Sequence, residues 1–224
     1  MDPKIQKIKE VMEKELSCSA HNMDHIMRVY NLCMTLAKGD KVDMEVIQAS
    51  ALLHDLGVIK EMNDSSGNTD HAVVGAEMAA PILKRIGFSD EKIKHIQDCI
   101  ISHRYKTDNR PKTREAEIVF DADKIDAVGA IGVARVYSWV GRNDAHIYRK
   151  VNIEEYSKEN LTGGKINGRI IDKTKHSPQI DYEIKGKFLV DMLHTPQAKK
   201  MAKERAEYFK NFLDRLEKEV HGEL

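Results

Sequence analysis

The chain has no excess of charge of either sign and few aromatic residues. Lysine and arginine together number 36, as do aspartate and glutamate, so the formal net charge is zero. A balanced chain lacks the basic footprint of proteins that bind nucleic acid, and we expect no nucleic-acid partner. Aromatic residues make up only 6%, which favours helices packed by aliphatic side chains over a β-sandwich.

Long apolar runs and cysteine pairs are also missing. No stretch approaches the ~20 apolar residues that cross a bilayer, and the charged segment from Met1 to Lys14 carries no secretory signal. We therefore expect no membrane partner and a cytoplasmic localisation. Cys18, Cys33 and Cys99 form no CxxC pair; the last two fall within apolar helical patterns and are expected to be buried free thiols.

Helical patterns follow one another along most of the sequence. Apolar residues recur with a helical period, and capping residues precede several of the patterns. The pattern after Asp43 is apolar almost all round until Gly57, which predicts a central helix. A long pattern from Glu115 to Val140 contains glycines that break it or allow close packing. The expected helices begin near Pro3, Asn22, Asp43, His71, Ser89, Glu115 and Pro196.

Residues 142–181 differ from the rest of the chain. They are polar, contain Gly163, Gly164 and Gly168, and show no helical period. A segment of this kind in a compact domain is typical of a lid, a small hairpin or a mobile insertion. We therefore expect an all-α fold in one domain over 1–224: a core of about 1–141, a flexible or hairpin-like insertion of about 142–181, and C-terminal helices over about 182–222.

Four residues of metal-ligand type fall on apolar helical faces: His25, His54, Asp55 and Asp123. The His54-Asp55 dipeptide alone means little, since about one such pair is expected by chance in this composition. Singly, each residue also fits a plainer interpretation, a hydrogen-bonded core histidine or a capping aspartate. Burying all four costs several kcal/mol unless they are paired or bind a cation. Together they favour a metal site.

The segments that carry these residues resemble the motifs of the HD-domain superfamily of metal-dependent phosphohydrolases, in particular a small bacterial and archaeal branch. They are HNMDHIMRV at 21–29, ALLHDLG at 51–57 and DADKIDAVGAIG at 121–132; DMLHT at 191–195 and KER at 203–205 are also similar. The resemblance covers nearly the whole chain. It implies an all-helical HD-domain bundle that hydrolyses phosphate esters or anhydrides of nucleotides, with His25, His54, Asp55 and Asp123 as metal ligands. Asn22 stands where the branch often has aspartate, which leaves substrate preference open.

Two further histidines have several interpretations. His71 opens a helix with an inward apolar face, and His103 continues the spacing of Ile96 and Ile100. Contact with a substrate phosphate is the favoured role. The alternatives are ligation of a second metal ion, as in two-metal members of the superfamily, and plain core or capping histidines. The remaining histidines are expected at the surface.

The ligand types indicate which ions fit. Two imidazoles and two carboxylates leave positions open on an octahedral ion and suit Mn²⁺, Mg²⁺, Fe²⁺ or Ni²⁺ better than a closed zinc site. We expect one divalent ion, with Mn²⁺ or Mg²⁺ favoured, Zn²⁺ not distinguished from the others, and a second ion as the less favoured alternative. Asp55 or Asp123 would orient the attacking water.

Two basic residues are candidates for stabilising negative charge during the reaction. Arg28 follows His25 by one turn, and Lys124 follows Asp123 directly. Either could stabilise charge on a phosphoryl group, and Lys124 could also bind the substrate. A salt bridge or a solvated surface charge is the alternative for each.

The resulting prediction is a metal-dependent phosphohydrolase that acts by metal-activated water on a small phosphate substrate, a nucleotide being favoured. Two other classes stay open: a catalytically silent nucleotide- or metal-sensing HD module, and a helical interaction protein whose buried His and Asp are structural. The oligomeric state is left open, and an oligomer is compatible with the sequence.

Overall fold

The computed structural model describes residues 2–15, 23–104, 109–166 and 168–224. Cys18 and Asn22 lie outside these ranges. Within them, the regular secondary structure is helical apart from one antiparallel bridge between Leu161 and Ile170. The prediction of an all-α fold is confirmed. None of the described helices combines the length and hydropathy needed to span a bilayer.

The chain divides into two compact units, Met1–Asp123 and Lys124–Leu224. The division falls inside one helix, α7, and the single domain expected over 1–224 stays a prediction. The helices of the first unit are α1 (Pro3–Glu15), α2 (Met23–Leu36), α3 (Met44–Leu53), α4 (Val58–Asn63), α5 (His71–Ile86), α6 (Asp90–Ser102) and α7 (Arg114–Ile125).

Helix α3 is the centre of the first unit, as its all-round apolar pattern predicts. The Asp43 carboxylate caps its start by accepting hydrogen bonds from the backbone N–H groups of Glu45 and Val46. It packs against α1, α2, α5 and α6. The buried residues of α3 are Val46, Ile47, Ala49, Ser50, Ala51, Leu52 and Leu53.

Helix α3 ends four residues earlier than the sequence pattern predicts. It stops at Leu53, and residues 54–57 form a turn that leads into α4. Helix α5 lies against this turn so closely that a Cβ atom on Gly57 would be 2.2 Å from the carbonyl oxygen of His71 and 2.7 Å from the backbone nitrogen of Gly75. Glycine is therefore required at position 57, and the turn frees His54 and Asp55 from the regular helix.

Helices α5 and α6 form a hairpin. Gly87 adopts a φ of +94° and its N–H bonds back to Leu83 and Lys84, which ends α5. The hydroxyl of Ser89 then accepts a hydrogen bond from the N–H of Lys92 and starts α6. Because the two helices run in opposite directions, the beginning of α5 and the end of α6 meet, which brings His71 next to His103.

The second unit contains α8 (Gly129–Arg142), α9 (Ile153–Asn160), α10 (Pro178–Ile184), α11 (Leu189–Met192) and α12 (Pro196–Val220). The long pattern from Glu115 to Val140 is split into α7 and α8, and the split is made at Gly129, whose φ is +77°. Helix α12 packs along α8. Short 3₁₀ turns occur at Thr162–Gly164, Lys173–Lys175 and Gly186–Phe188.

The segment 142–181 is more ordered than its composition indicates. It contains α9 and contributes Tyr156, Leu161 and Ile180 to a small apolar cluster with Ile184. The helical period of α9 was missed because its buried residues are Tyr156, Ser157 and Asn160, and two of these three are polar. The bridge between Leu161 and Ile170 gives the segment the hairpin-like element that was one of the expected forms.

Candidate metal centre

The four predicted ligands converge within the first unit. His25 lies on α2, His54 and Asp55 lie at the end of α3 and in the turn after it, and Asp123 lies on α7. The Nε2 atom of His25 is 3.3 Å from Nε2 of His54, 3.5 Å from an oxygen of Asp55 and 3.4 Å from an oxygen of Asp123. The histidines and Asp55 are buried, and the Asp123 side chain is 16% exposed.

The hydrogen bonds of His54 fix which of its nitrogens is available. Its Nδ1 lies 2.9 Å from the carbonyl oxygen of Ala51, and since a carbonyl only accepts, Nδ1 carries the proton and Nε2 presents a lone pair. Burial lowers the pKa of His54, and the carboxylates of Asp55 and Asp123 oppose the shift without reversing it. A neutral imidazole with a backbone-anchored Nδ1–H is the usual state of a metal-binding histidine.

Asp55 is shared with a second group of ligand-type residues, His71 and His103. One oxygen of Asp55 faces His25 and His54, at 3.5 and 3.6 Å from their Nε2 atoms. Its other oxygen is 3.6 Å from Nε2 of His71 and 3.8 Å from Nε2 of His103. The ligand atoms of His25, His54 and Asp55 lie within 4.8 Å of one another, and so do those of Asp55, His71 and His103. The carboxylate of Asp55 therefore stands between two places that could hold a cation.

Hydrogen bonds at Nδ1 of His71 and His103 leave the Nε2 atoms of the second group available to a cation. Nδ1 of His103 donates to the carbonyl oxygen of Ile100 at 2.6 Å, and Nδ1 of His71 bonds to the carboxylate of Glu61. Burial alone raises the pKa of Glu61, but hydrogen bonds from His71 and Arg104 outweigh it and keep that pKa below its usual value. Glu61 is therefore an ionised acceptor, and His71, like His103, presents the lone pair of Nε2.

Arg104 holds the two carboxylates next to His71 in place. Its guanidinium bonds to Glu61 at 2.8 Å and to Asp70 at 2.9 Å. Asp70 in turn accepts a hydrogen bond from the N–H of Ala72 and so caps α5 at the turn that begins with His71. Burial alone raises the pKa of Asp70, and the bonds from Arg104 and Ala72 bring it below its usual value. The two carboxylates and Arg104 thus fix the position of His71.

Glu61, Asp70 and Arg104 were not expected at this site. All three fall in stretches that the sequence marks only as polar, and Arg104 is more than 30 positions from the other two. Asp70 carries a local signal, since an aspartate directly before a helical pattern is a capping residue. Nothing in the sequence pattern indicates that Glu61 and Arg104 meet, because their contact depends on how α4, α5 and α6 pack.

The two predicted cationic residues are not members of either ligand group. Arg28 is half-buried on α2, one turn after His25, and Lys124 is buried on α7 directly after Asp123. Their roles in catalysis and substrate binding stay predictions.

The residues present fit divalent cations. Imidazole nitrogens and carboxylate oxygens are the donors that Mn²⁺, Fe²⁺ and related ions accept, and a site of this kind leaves positions for water and substrate. In both groups the Nε2 atoms of two histidines lie little more than 3 Å apart, at 3.3 Å and 3.1 Å. An arrangement that brings lone pairs and carboxylates together is favourable when a cation lies among them.

Comparison with known proteins finds a matching family and similar folds. The family model "HD domain" matches residues 22–128. The uncharacterised protein YpgQ of Bacillus subtilis is 25% identical over 214 residues, which is 91% of this chain and 86% of YpgQ. The structure of YpgQ in complex with ADP is similar with a TM-score of 0.70 at 22% identity, covering 96% of this chain and 97% of that one.

A further solved structure carries the family name. An HD-superfamily hydrolase from Bacillus thuringiensis is similar with a TM-score of 0.66 at 25% identity, and the match covers 97% of this chain and 95% of that one. The matched HD-domain model spans the residues that form both ligand groups. The histidine and aspartate motifs, the helical fold and these similarities together show that the chain belongs to the HD-domain superfamily.

Proposed function

We propose that the protein is a divalent-metal-dependent phosphohydrolase acting on nucleotides. The observation that carries the proposal is the buried carboxylate of Asp55, which lies between two pairs of histidines whose Nε2 atoms all face it. Cations among these nitrogens and this carboxylate would stabilise their close approach.

His25, His54, Asp55 and Asp123 would hold the first ion, and Asp55, His71 and His103 would hold a second. The alternative for the second group is direct contact between the two histidines and a substrate phosphate. When bound, a divalent cation lowers the pKa of a water and neutralises charge on a phosphoryl oxygen. Mn²⁺ and Mg²⁺ are the favoured ions, since carboxylates contribute to both groups.

The chain's own groups would position the reactants. The carboxylates of Asp55 and Asp123 accept hydrogen bonds and would orient the attacking water toward phosphorus. Glu61 and Arg104 would keep His71 in place. From their places in the chain beside ligand residues, Arg28 and Lys124 are proposed to stabilise negative charge on the transferred phosphoryl group.

A nucleotide is the proposed substrate on two grounds. With divalent cations bound, the site would have positive charge for phosphate and open positions for water, which the hydrolysis of phosphate esters and anhydrides requires. YpgQ, which matches nearly the whole chain in fold, was solved with ADP. The proposal covers cleavage of a monoester or of an anhydride, which the products released will distinguish.

The test is hydrolysis of nucleoside mono-, di- and triphosphates by metal-loaded protein, with phosphate and pyrophosphate measured separately. Asp123→Asn keeps the size of the side chain and is expected to lower turnover by about 100-fold or more, because it removes a charged ligand. Glu117→Gln, on the same helix but paired with Arg114, is the matched control and should keep full turnover. Absence of product from every nucleotide, with the protein folded and loaded, would overturn the proposal. Nucleotide binding without turnover would favour a sensing module instead.

A further inference from the structure

A cavity of about 220 Å³ lies wholly within the second unit. It is formed between α8, α10 and the segment that precedes α10. None of the predicted site residues lines it. Its apolar side includes Val136, Trp139 and Ile170, and its polar groups are Arg135, His176, Asp181 and Lys185.

His176 is the unusual member of this set. It was expected at the surface with the other unassigned histidines, but it is 1% exposed. Its Nε2 atom is buried and has no hydrogen-bond partner among the described residues. It makes an ion-pair contact of 3.6 Å with an oxygen of Asp181, which is longer than a hydrogen bond. Because an incompletely bonded buried polar atom is costly, a ligand that accepts a hydrogen bond from Nε2 would be favoured.

The neighbours of His176 determine what its Nε2 can do. The Asn160 amide donates to the Tyr156 hydroxyl at 2.9 Å, and its orientation is fixed because its oxygen accepts from the N–H of Asp172. The Tyr156 hydroxyl therefore has its own hydrogen available for Nδ1 of His176, 2.8 Å away. With Nδ1 as acceptor, the neutral ring carries its proton on Nε2. Nε2–H is thus a donor that faces Asp181 without a full hydrogen bond.

The charges around the cavity are already balanced. Arg135 bonds to the buried carboxylate of Asp126 at 2.6 Å. Burial alone raises the pKa of Asp181, but His176, Lys185 and Arg135 bring it below its usual value, so Asp181 is ionised. A phosphate or carboxylate ligand would have to compete with these carboxylates for the cations. The set fits a neutral ligand that both accepts and donates hydrogen bonds.

We propose that this cavity binds a nucleobase. The edge of a base presents an acceptor beside a donor, which matches the Nε2–H of His176 beside the carboxylate of Asp181. Trp139 gives the ring an aromatic surface, and its indole meets the His176 ring edge to face at 5.2 Å between centroids. The volume is below the range of about 300–1,000 Å³ usual for larger ligands, which suits one base. The proposal concerns the second unit alone and is independent of the hydrolase activity.

The chain provides its own probe for the test, since Trp139 is its only tryptophan. The whole chain of 224 residues, kept in chelator, would be titrated with adenosine, guanosine, cytidine and uridine, and separately with ribose 5-phosphate and inorganic phosphate. Tryptophan fluorescence and calorimetry would be recorded on the same samples. Saturable binding of at least one nucleoside, with a change in Trp139 emission, is expected. No nucleoside binding, or saturable binding by the two phosphates alone, would overturn the proposal, the latter identifying an anion site.

Variants distinguish an effect on binding in the cavity from an effect on folding. Asp181→Asn is expected to weaken nucleoside binding by about tenfold or more, the usual effect of losing a charged hydrogen-bond acceptor. Glu183→Gln, on the same helix and paired with Lys187, makes the same change in charge and should bind as the parent does. Tyr156→Phe removes the hydroxyl that holds the proton on Nε2 and should also weaken binding. Equal affinity in the parent and in folded Asp181→Asn and Tyr156→Phe proteins would contradict the assignment.

Discussion

The Nε2 atoms of His71 and His103 lie 3.1 Å apart, although the Nδ1 hydrogens of both rings are engaged elsewhere, by Glu61 and by the carbonyl of Ile100. Neither ring in its neutral form then has a hydrogen to donate to the other. Their lone pairs repel unless a proton or a metal ion lies between them. The Nε2 atoms of His25 and His54 are similarly close, at 3.3 Å. Each pair is thus an arrangement that a cation stabilises.

A first prediction concerns the stability of the protein without metal. Because binding to the native state alone favours folding, Mn²⁺ at a hundredfold excess over its dissociation constant is expected to add about 2.7 kcal/mol per site. For a chain of this size that raises Tm by roughly 5–10 °C. Thermal melts in chelator and in Mn²⁺ measure the effect. Asp55→Asn is the control and should show a much smaller rise. An identical Tm with and without Mn²⁺ in the parent would speak against metal binding.

A second prediction distinguishes the two aspartates. Asp55 faces both histidine pairs, whereas Asp123 is within 4 Å of His25 and His54. Asp55→Asn is therefore expected to weaken both cation positions and Asp123→Asn only the first. Bound Mn²⁺ can be counted by electron paramagnetic resonance of the free ion during a titration. The parent should bind two equivalents, and Asp123→Asn should retain one. If the parent binds a single equivalent, His71 and His103 do not hold a second ion, and contact with the substrate phosphate becomes their proposed role.

A third prediction concerns Arg104, which holds Glu61 and Asp70 in place. Arg104→Met is expected to weaken the second Mn²⁺ about 10- to 100-fold, as is usual when the support behind a ligand is lost. The first Mn²⁺ should bind as before. Glu61→Gln should act in the same direction, because a neutral amide holds the His71 Nδ1–H less strongly.

Arg114→Met is the matched control for Arg104, since Arg114 is also partly buried and also bonds to two carboxylates, Asp40 and Glu117. It should leave the affinity for both ions unchanged. If Arg104→Met and Arg114→Met have the same effect on the second ion, the effect is one of general stability and Arg104 has no special role.

A fourth prediction concerns the start of α3 and the dependence of stability on pH. Burial alone raises the pKa of Asp43, but hydrogen bonds from Lys92 and from the N–H groups of Val46 and Glu45 outweigh it, so the folded-state pKa lies below the usual value. A carboxyl of this kind contributes stability above its unfolded-state pKa, and the contribution is lost as pH falls through the folded-state pKa.

Asp43→Asn removes this contribution and keeps a good capping side chain. The variant should be less stable than the parent at neutral pH, and the difference should shrink as the pH is lowered below the usual range of aspartate. Urea unfolding at a series of pH values, in chelator, measures it. A difference in stability that stays constant down to acid pH would show that the charge of Asp43 plays no part.

The sequence was sufficient to predict that the four side chains of the first group come together and insufficient to predict the residues around them. Helical periodicity places His25, His54 and Asp123 on inward faces, and the structure brings them together with Asp55. Glu61 and Arg104 could not be found in this way, because their contact joins residues 43 positions apart. Helix α9 and the burial of His176 were missed for a related reason: the buried side chains include polar ones, whose burial hydropathy patterns do not register.

The most direct test of the account joins metal binding to catalysis in one sample. Metal-free protein would be titrated with Mn²⁺ while the bound ion and the release of phosphate or pyrophosphate from a nucleotide are both followed. Turnover should be absent in chelator and should rise in step with bound Mn²⁺ until the ligand groups around Asp55 are filled. Turnover that persists in chelator, or full occupancy by Mn²⁺ without any release of product, would contradict the proposed phosphohydrolase.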